Sequence, residues 1–191
     1  MTISRTFFAF FTTLLLLGCS SSPKTHYYTF NTPPDTRNAA TGPLILIGPV
    51  TLPDLVDRPQ LVLRSNDNQV EISDTHRWAQ SLKGEIARAL AANLALEADT
   101  PRAYLLSQAT GEEADLRIAV DILRFESAPG SHATIEAQWS VRRKEISKPI
   151  IARSVVRENV EGKSHEALVA AHSRAIAKLS REIAMTLRAK N

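Results

Sequence analysis

The chain has 191 residues, with 23 Lys and Arg against 20 Asp and Glu, a net charge of +3, and one cysteine. The charges are interleaved along the sequence, which argues against a nucleic-acid-binding surface, and a lone cysteine excludes an intramolecular disulfide. The length is ample for one domain with its own hydrophobic core.

At the N-terminus, Arg5 precedes an uncharged apolar run from Phe7 to Leu17, followed by Gly18, Cys19 and three serines. That run is shorter than the roughly 20 residues a spanning helix needs. A charged start, a short apolar middle and small residues beyond it form the pattern of an export signal. Leu16-Leu17-Gly18-Cys19 resembles the lipobox of bacterial lipoprotein precursors, although Leu17 stands where Ala or Ser is more usual. The resemblance implies cleavage between Gly18 and Cys19, a diacylglyceryl group on the Cys19 sulfur and acylation of the new N-terminus. Several acyl chains together hold firmly where one is marginal. Ser20, where an aspartate would favour the inner membrane, implies delivery to the outer membrane, facing the periplasm. Residues 1–18 are then a lipoprotein signal peptide, 19–26 an acylated tether, and 27–191 a single periplasmic domain.

Beyond the tether, "HYYTF" (26–30) is a short aromatic strand candidate, and 31–43 has the Pro, Asn, Gly and Thr content of a loop. "LILIGPVTLP" (44–53) reads as a buried strand, and 61–64 and 69–73 as two short strands about the turn "SNDN". The strongest helix has Asp74 as its candidate cap, with Trp78, Leu82, Ile86, Leu90 and Leu94 on one stripe, and it ends near 96–99 before Pro101. Residues 104–107 suggest one more short strand. "DLRIAVDILRFE" alternates to Ile122 and then shifts phase, which predicts a bulge or burial on both faces. Residues 133–141 alternate cleanly as a half-buried strand, and 150–160 make another. Ser164 is placed to cap a final helix with the stripe Leu168, His172, Ile176, Leu179, Ile183 and Leu187. This order predicts an α/β (α+β) sandwich, a mixed or antiparallel sheet with two amphipathic helices on one face.

No G-x-S-x-G elbow or phosphate-cradling glycine loop occurs. The five histidines are widely separated in sequence; His165 and His172 could share a helix face, but one stands at a fraying start and the other on the apolar stripe. Neither a metal nor a cofactor is expected, nor enzymatic activity. Trp78 and Trp139 read as core residues, and Glu112 and Glu113 as a solvated loop pair. Arg142-Arg143-Lys144 suits either lipid headgroups or a solvated strand end. In "LPDLVDRP" (52–59), either Asp57 and Arg58 fix the turn into the Leu61 strand, or Asp57, Arg58 and Pro59 belong to a rigid, presented docking loop. Tyr27 and Tyr28 sit beside the tether, one of them a candidate to face the membrane or a neighbouring subunit.

Four segments in sequence, "GPVTLPDLVDRPQLVLR", "RWAQSLKGEIARALAANL", "LRIAVDILRFE" and "AHSRAIAKLSREIA", behind a lipobox resemble the ABC-type transport auxiliary lipoprotein family of PqiC-like proteins. The resemblance implies a fold similar to the N-terminal domain of TolB and a non-catalytic role. It implies a partnership with a PqiB-like MCE-domain protein, and through it with an inner-membrane component, in lipid transport that maintains envelope integrity. A homo-oligomer would suit such a tubular partner. The competing reading is a TolB-like lipoprotein scaffold for another envelope assembly, in secretion or the cell wall.

Overall fold

In the computed structural model, which describes residues 23–34, 41–108, 113–146 and 148–188, a long antiparallel pair forms the backbone of the fold. Strands β6 (Leu116–Ala128) and β7 (His132–Arg143) pair in register from Leu116–Arg143 to Ala128–His132. β8 (Ile150–Asn159) continues this meander. On the other side of β6 lie β2 (Ile45–Thr51) and then β5 (Ala103–Leu105), both parallel pairings. A second sheet is smaller, with order β1 (His26–Tyr28), β4 (Gln69–Trp78), β3 (Gln60–Asn66). Helices α1 (Leu82–Glu97) and α2 (His165–Arg188) pack on each other, α1 against β2 and β5 and α2 against β7 and β8. The mixed α+β arrangement expected from the element order is present, with its strands divided between two sheets rather than one. β3 meets β6 through side-chain packing, without ladder hydrogen bonds.

The phase shift in β6 is a bulge. Ile118, Val120 and Ile122 stand opposite Val141, Trp139 and Ala137 on the buried face. Strict alternation would then turn Phe125 to the opposite side. The register shifts between Ile122 and Arg124, so Leu123 is the extra residue, and Phe125 and Ser127 return to the face of Ile135 and Ala133. Leu123 itself is 41% exposed. Trp78 and Trp139 are both buried, as expected of core residues, and the Trp139 indole donates to Ser154 Oγ at 3.0 Å.

Helix α1 begins later than Asp74. Its cap is Ser81, whose Oγ accepts from the Gly84 amide at 3.1 Å. Residues 74–78 continue β4, because that backbone has partners on both sides: β1 runs parallel to it, and the Trp78 amide donates to the Pro59 carbonyl at 2.7 Å. The four-residue spacing from Trp78 to Leu82 therefore spans a strand-to-helix junction. Ser164 does cap α2, accepting from the Ala167 amide at 3.1 Å. The far ends of both helices are closed by arginines. Arg143 Nη2 donates to the Thr186 and Leu187 carbonyls (3.1 and 2.8 Å), and Arg188 to the Glu97 carbonyl. These cations complement last-turn carbonyls that have no intrahelical donor.

The N-terminal segment is tied down by one buried carboxylate. Glu85, in the first turn of α1, accepts from Thr29 Oγ1 at 2.6 Å, the Phe30 amide at 3.3 Å and Arg88 Nη2 at 2.7 Å. Burial pushes this carboxyl up, but the Thr29, Arg88 and Phe30 donors outweigh it and hold it below the usual range. Glu85→Ala would strand the Phe30 amide and the Thr29 hydroxyl, and should cost about 2–4 kcal/mol in denaturant unfolding. In wild type, this contribution should be fully present above the unfolded carboxylate pKa and fade as pH falls through the lower folded value.

His172 lies inside the core rather than at its edge. It is fully buried, stacked on Phe125 with ring centroids 4.0 Å apart, and its Nε2 is 2.8 Å from Ser127 Oγ. Its Nδ1 is buried without a hydrogen-bond partner, and burial pulls its pKa down to about 3. The folded ring stays neutral where the unfolded one, with a pKa near 6.5, takes up a proton. Its contribution is complete above about pH 6.5 and lost progressively toward pH 3, at about 1.4 kcal/mol per pH unit. Between pH 7 and pH 5, wild type should therefore lose about 2 kcal/mol more stability than His172→Leu, measured by urea unfolding at both values.

Candidate functional site

The loop from Leu52 to Pro59 is a tight turn fixed at both ends. The Val56 and Asp57 amides donate to the Pro53 carbonyl (3.0 and 3.2 Å), and the Arg58 amide to the Val56 carbonyl at 2.8 Å. Val56 points into the core, while the neighbouring Leu55 is 44% exposed. Asp57 pairs with Lys83 at the start of α1, 3.0 Å apart, an exposed pair worth no more than about 1 kcal/mol. Arg58 is half-buried, and its Nε is buried without a hydrogen-bond partner. Pro59 supplies the carbonyl that Trp78 uses. The backbone bonds of Val56, Asp57, Arg58 and Pro59 hold the turn, with Leu55 exposed at its tip.

Beside this loop lies a cleft of about 490 Å³. Pro53, Leu55 and Val56 line one wall, and the bulge residue Leu123 with Phe125 lines another. Its polar side is a small network: Glu126 forms an ion pair with Arg64 Nη2 at 3.1 Å and accepts from His132 Nε2 at 3.0 Å. Burial pushes the Glu126 carboxyl up, but the His132 hydrogen bond and the Arg64 guanidinium hold it below the usual range. His132 Nδ1 takes both Ser131 Oγ (2.9 Å) and Arg157 Nη2 (2.9 Å). Ser131, His132 and Glu126 thus follow one another as in a hydrolytic triad, but the Arg157 guanidinium engages the lone pair that would remove the serine proton. Ser127 and His172 form a further serine–histidine contact, sealed in the core around an imidazole too weakly basic to take a proton near neutrality. The cleft has the makings of a slot for an apolar side chain flanked by charge.

Of the two tyrosines beside the tether, Tyr27 is 65% exposed and Tyr28 is buried. Tyr28 therefore faces the protein, not a membrane or neighbouring subunit, and its hydroxyl lies 2.7 Å from His76 Nδ1. Burial, and then Glu166 nearby, raise the Tyr28 pKa. The basic triplet does not act as one patch. Arg142 is exposed, Arg143 turns inward to α2, and Lys144 pairs with Glu113 at 2.7 Å. Gly18, Cys19 and Glu112 lie outside the described residues. Among the described residues, no helix is long and apolar enough to cross a membrane.

Three histidines far apart in sequence meet in space. His76 of β4 stacks on His165 at the start of α2, centroids 3.7 Å apart and 11° from parallel. On its other contact His76 faces His26 of β1 at 5.1 Å and 15°. Nothing local in the sequence marks this: the three residues come from three elements, and the only relation read from their spacing linked His165 to His172. Among the described residues, no group of three or more His, Cys, Asp or Glu side chains is arranged to hold a metal ion.

No curated protein matches this chain. Among solved structures, a crystal structure of an uncharacterized protein has a TM-score of 0.72 at 18% identity, covering 86% of this chain and 99% of its own. The crystal structure of protein XCC0632 from Xanthomonas campestris, a DUF330 protein, has a TM-score of 0.61 at 16% identity, covering 84% and 92%. At these identities the likeness is one of fold. Residues 28–184, from the buried Tyr28 to the last buried turn of α2, match the ABC-type transport auxiliary lipoprotein component family. With most of its length inside that match, the chain belongs to this family of auxiliary lipoproteins.

Proposed function

We propose that this chain is a non-catalytic lipoprotein anchored through Cys19 to the outer membrane, facing the periplasm. There it docks a PqiB-like MCE-domain conduit of a lipid-transport system, coupled through that partner to an inner-membrane component. The observation that carries the reading is the family match from residue 28, with the one cysteine of the chain a few residues upstream inside a lipobox-like sequence. Between Cys19 and β1 the chain spans only about 25 Å when extended, so the folded domain stays close to the leaflet that holds it. The docking element is the Leu52–Pro59 loop with its cleft: a rigid turn, an exposed leucine, and an apolar slot beside the Arg64–Glu126–His132 network. A preorganised loop loses little entropy on binding, so its contacts count nearly in full.

The test is affinity capture from native membranes with tagged wild type, beside a Cys19→Ser form exported by a cleavable signal. Mass spectrometry reads both the bound proteins and the N-terminal modification. An MCE-domain protein should be enriched by both forms, with acylation only in wild type. Leu55→Asp should reduce its recovery about tenfold or more, as expected for an anchor in a partner's pocket. Enrichment of secretion or cell-wall components instead, with no MCE-domain protein, would overturn the transport reading in favour of a scaffold for another envelope assembly.

A further inference from the structure

The stack of His26, His76 and His165 joins the first strand of the domain to the rest of it. β1 has only three residues, lies at the edge of the small sheet, and pairs with β4 alone. Its His26 ring is exposed, while His76 and His165 are half-buried. The groups around the stack come from three elements: His26 and Tyr28 from β1, His76 from β4, and His165 with Glu166 from α2. Three imidazoles thus share one carboxylate, Glu166. Neutral rings stack favourably at these distances, and one charged ring can be balanced by Glu166. A charge on His76 lies 5.1 Å or less, centroid to centroid, from each neighbouring ring, so a second charge in the stack beside it meets strong repulsion that the single carboxylate cannot balance.

We propose that this stack is a proton-operated latch on the start of β1: acidification places positive charge in the stack, and His26 and Tyr27 leave the small sheet while the core, Tyr28 included, stays folded. The direction agrees with His76, whose pKa is lowered first by burial and then by His165 and His26, against the opposing pull of Glu166. A ring that is harder to protonate when stacked holds the closed state at neutral pH and releases it as pH falls. The opening has a built-in stop. Thr29 and Phe30 remain clamped by Glu85, and the Asn31 amide by Ser173 Oγ at 3.1 Å. Tyr28 stays in the core, its carbonyl accepting from the Ala79 amide at 2.8 Å, so release frees His26 and Tyr27 and lengthens the segment ahead of Tyr28 by about 7 Å. If that chain ends at a lipid on Cys19, as proposed above, the reach of the domain from the membrane becomes pH-dependent; the latch itself does not require the anchor.

The experiment is hydrogen–deuterium exchange on the full-length protein in detergent from pH 7.5 to pH 5.0, corrected for intrinsic amide chemistry. Protection of a peptide over 26–30 should fall about tenfold per pH unit for each extra proton taken up on opening, while β7 peptides keep theirs. In His26→Gln/His165→Gln, where His76 keeps its burial but loses both stacked neighbours, the fall should become shallower. The single variant His26→Gln, at an exposed ring, should also make it shallower. A pH-independent 26–30 peptide, the same slope in the variants, or loss of protection together with β7 would each overturn the latch. The same profile in Cys19→Ser would separate the latch from the anchor: a latch without acylation in wild type sinks the anchor alone.

Discussion

β6 and β7 run side by side for more than ten residues, so a single residue gained or lost midway decides which side chains reach the helices along the remaining length. Leu123 is that residue. By absorbing the slip it returns Phe125 and Ser127 to the buried face, where Phe125 meets His172 of α2 and the edge of Trp78, 6.1 Å away. Trp78 in turn closes β4 and packs on Phe30. The large sheet, α2 and the small sheet are therefore joined through one ring whose orientation depends on a bulge. The same residue, turned outward, becomes a wall of the cleft beside the Leu52–Pro59 loop. Core and candidate docking site are two faces of one irregularity, in keeping with the frequent occurrence of bulges at functional positions.

The two ends of the helix pair are chemically different. At the end of the small sheet, the starts of α1 and α2 are engaged by Ser81, Glu85, Ser164 and the histidine stack. At the other, Arg143 and Arg188 cover the closing carbonyls. Acids and hydroxyls at the starts and guanidinium groups at the ends are what the peptide dipoles favour. The N-terminal segment thus enters the domain where donors, acceptors and imidazole rings are concentrated, and the opposite end is closed by guanidinium charge.

Much of this was legible in the sequence because it is local. The inward residues of 133–141, the phase shift after Ile122, the Ser164 cap and the end of α1 before Pro101 each rest on residues within a few positions of one another, whereas Thr134 and Glu136, expected on the solvent face of that strand, are buried as well. The start of α1 was misplaced because Asp74 and Trp78 fit a helical spacing, and the competing pull on them, from β1 and from Pro59, comes from distant parts of the chain. The division into two sheets is likewise a tertiary outcome. Within the candidate site, the turn and its proline were readable, and the apolar cleft was not, because its walls come from segments some 70 residues apart. The histidine stack is the extreme case: no short window contains two of its members.

The parallel pairing of β2 has a cost that the meander avoids. Leu44 and Asp115, whose hydrogen bond of 2.7 Å begins the β2–β6 contact, are 71 positions apart in the chain, whereas β6 turns into β7 through only three residues. Closing the longer loop forfeits chain entropy before any of its contacts form, and that loss grows with the logarithm of loop length. From β6 onward, each element packs on a sequence neighbour or near-neighbour. The topological burden of the fold falls on its N-terminal half, the half that carries the presented loop and the first strand.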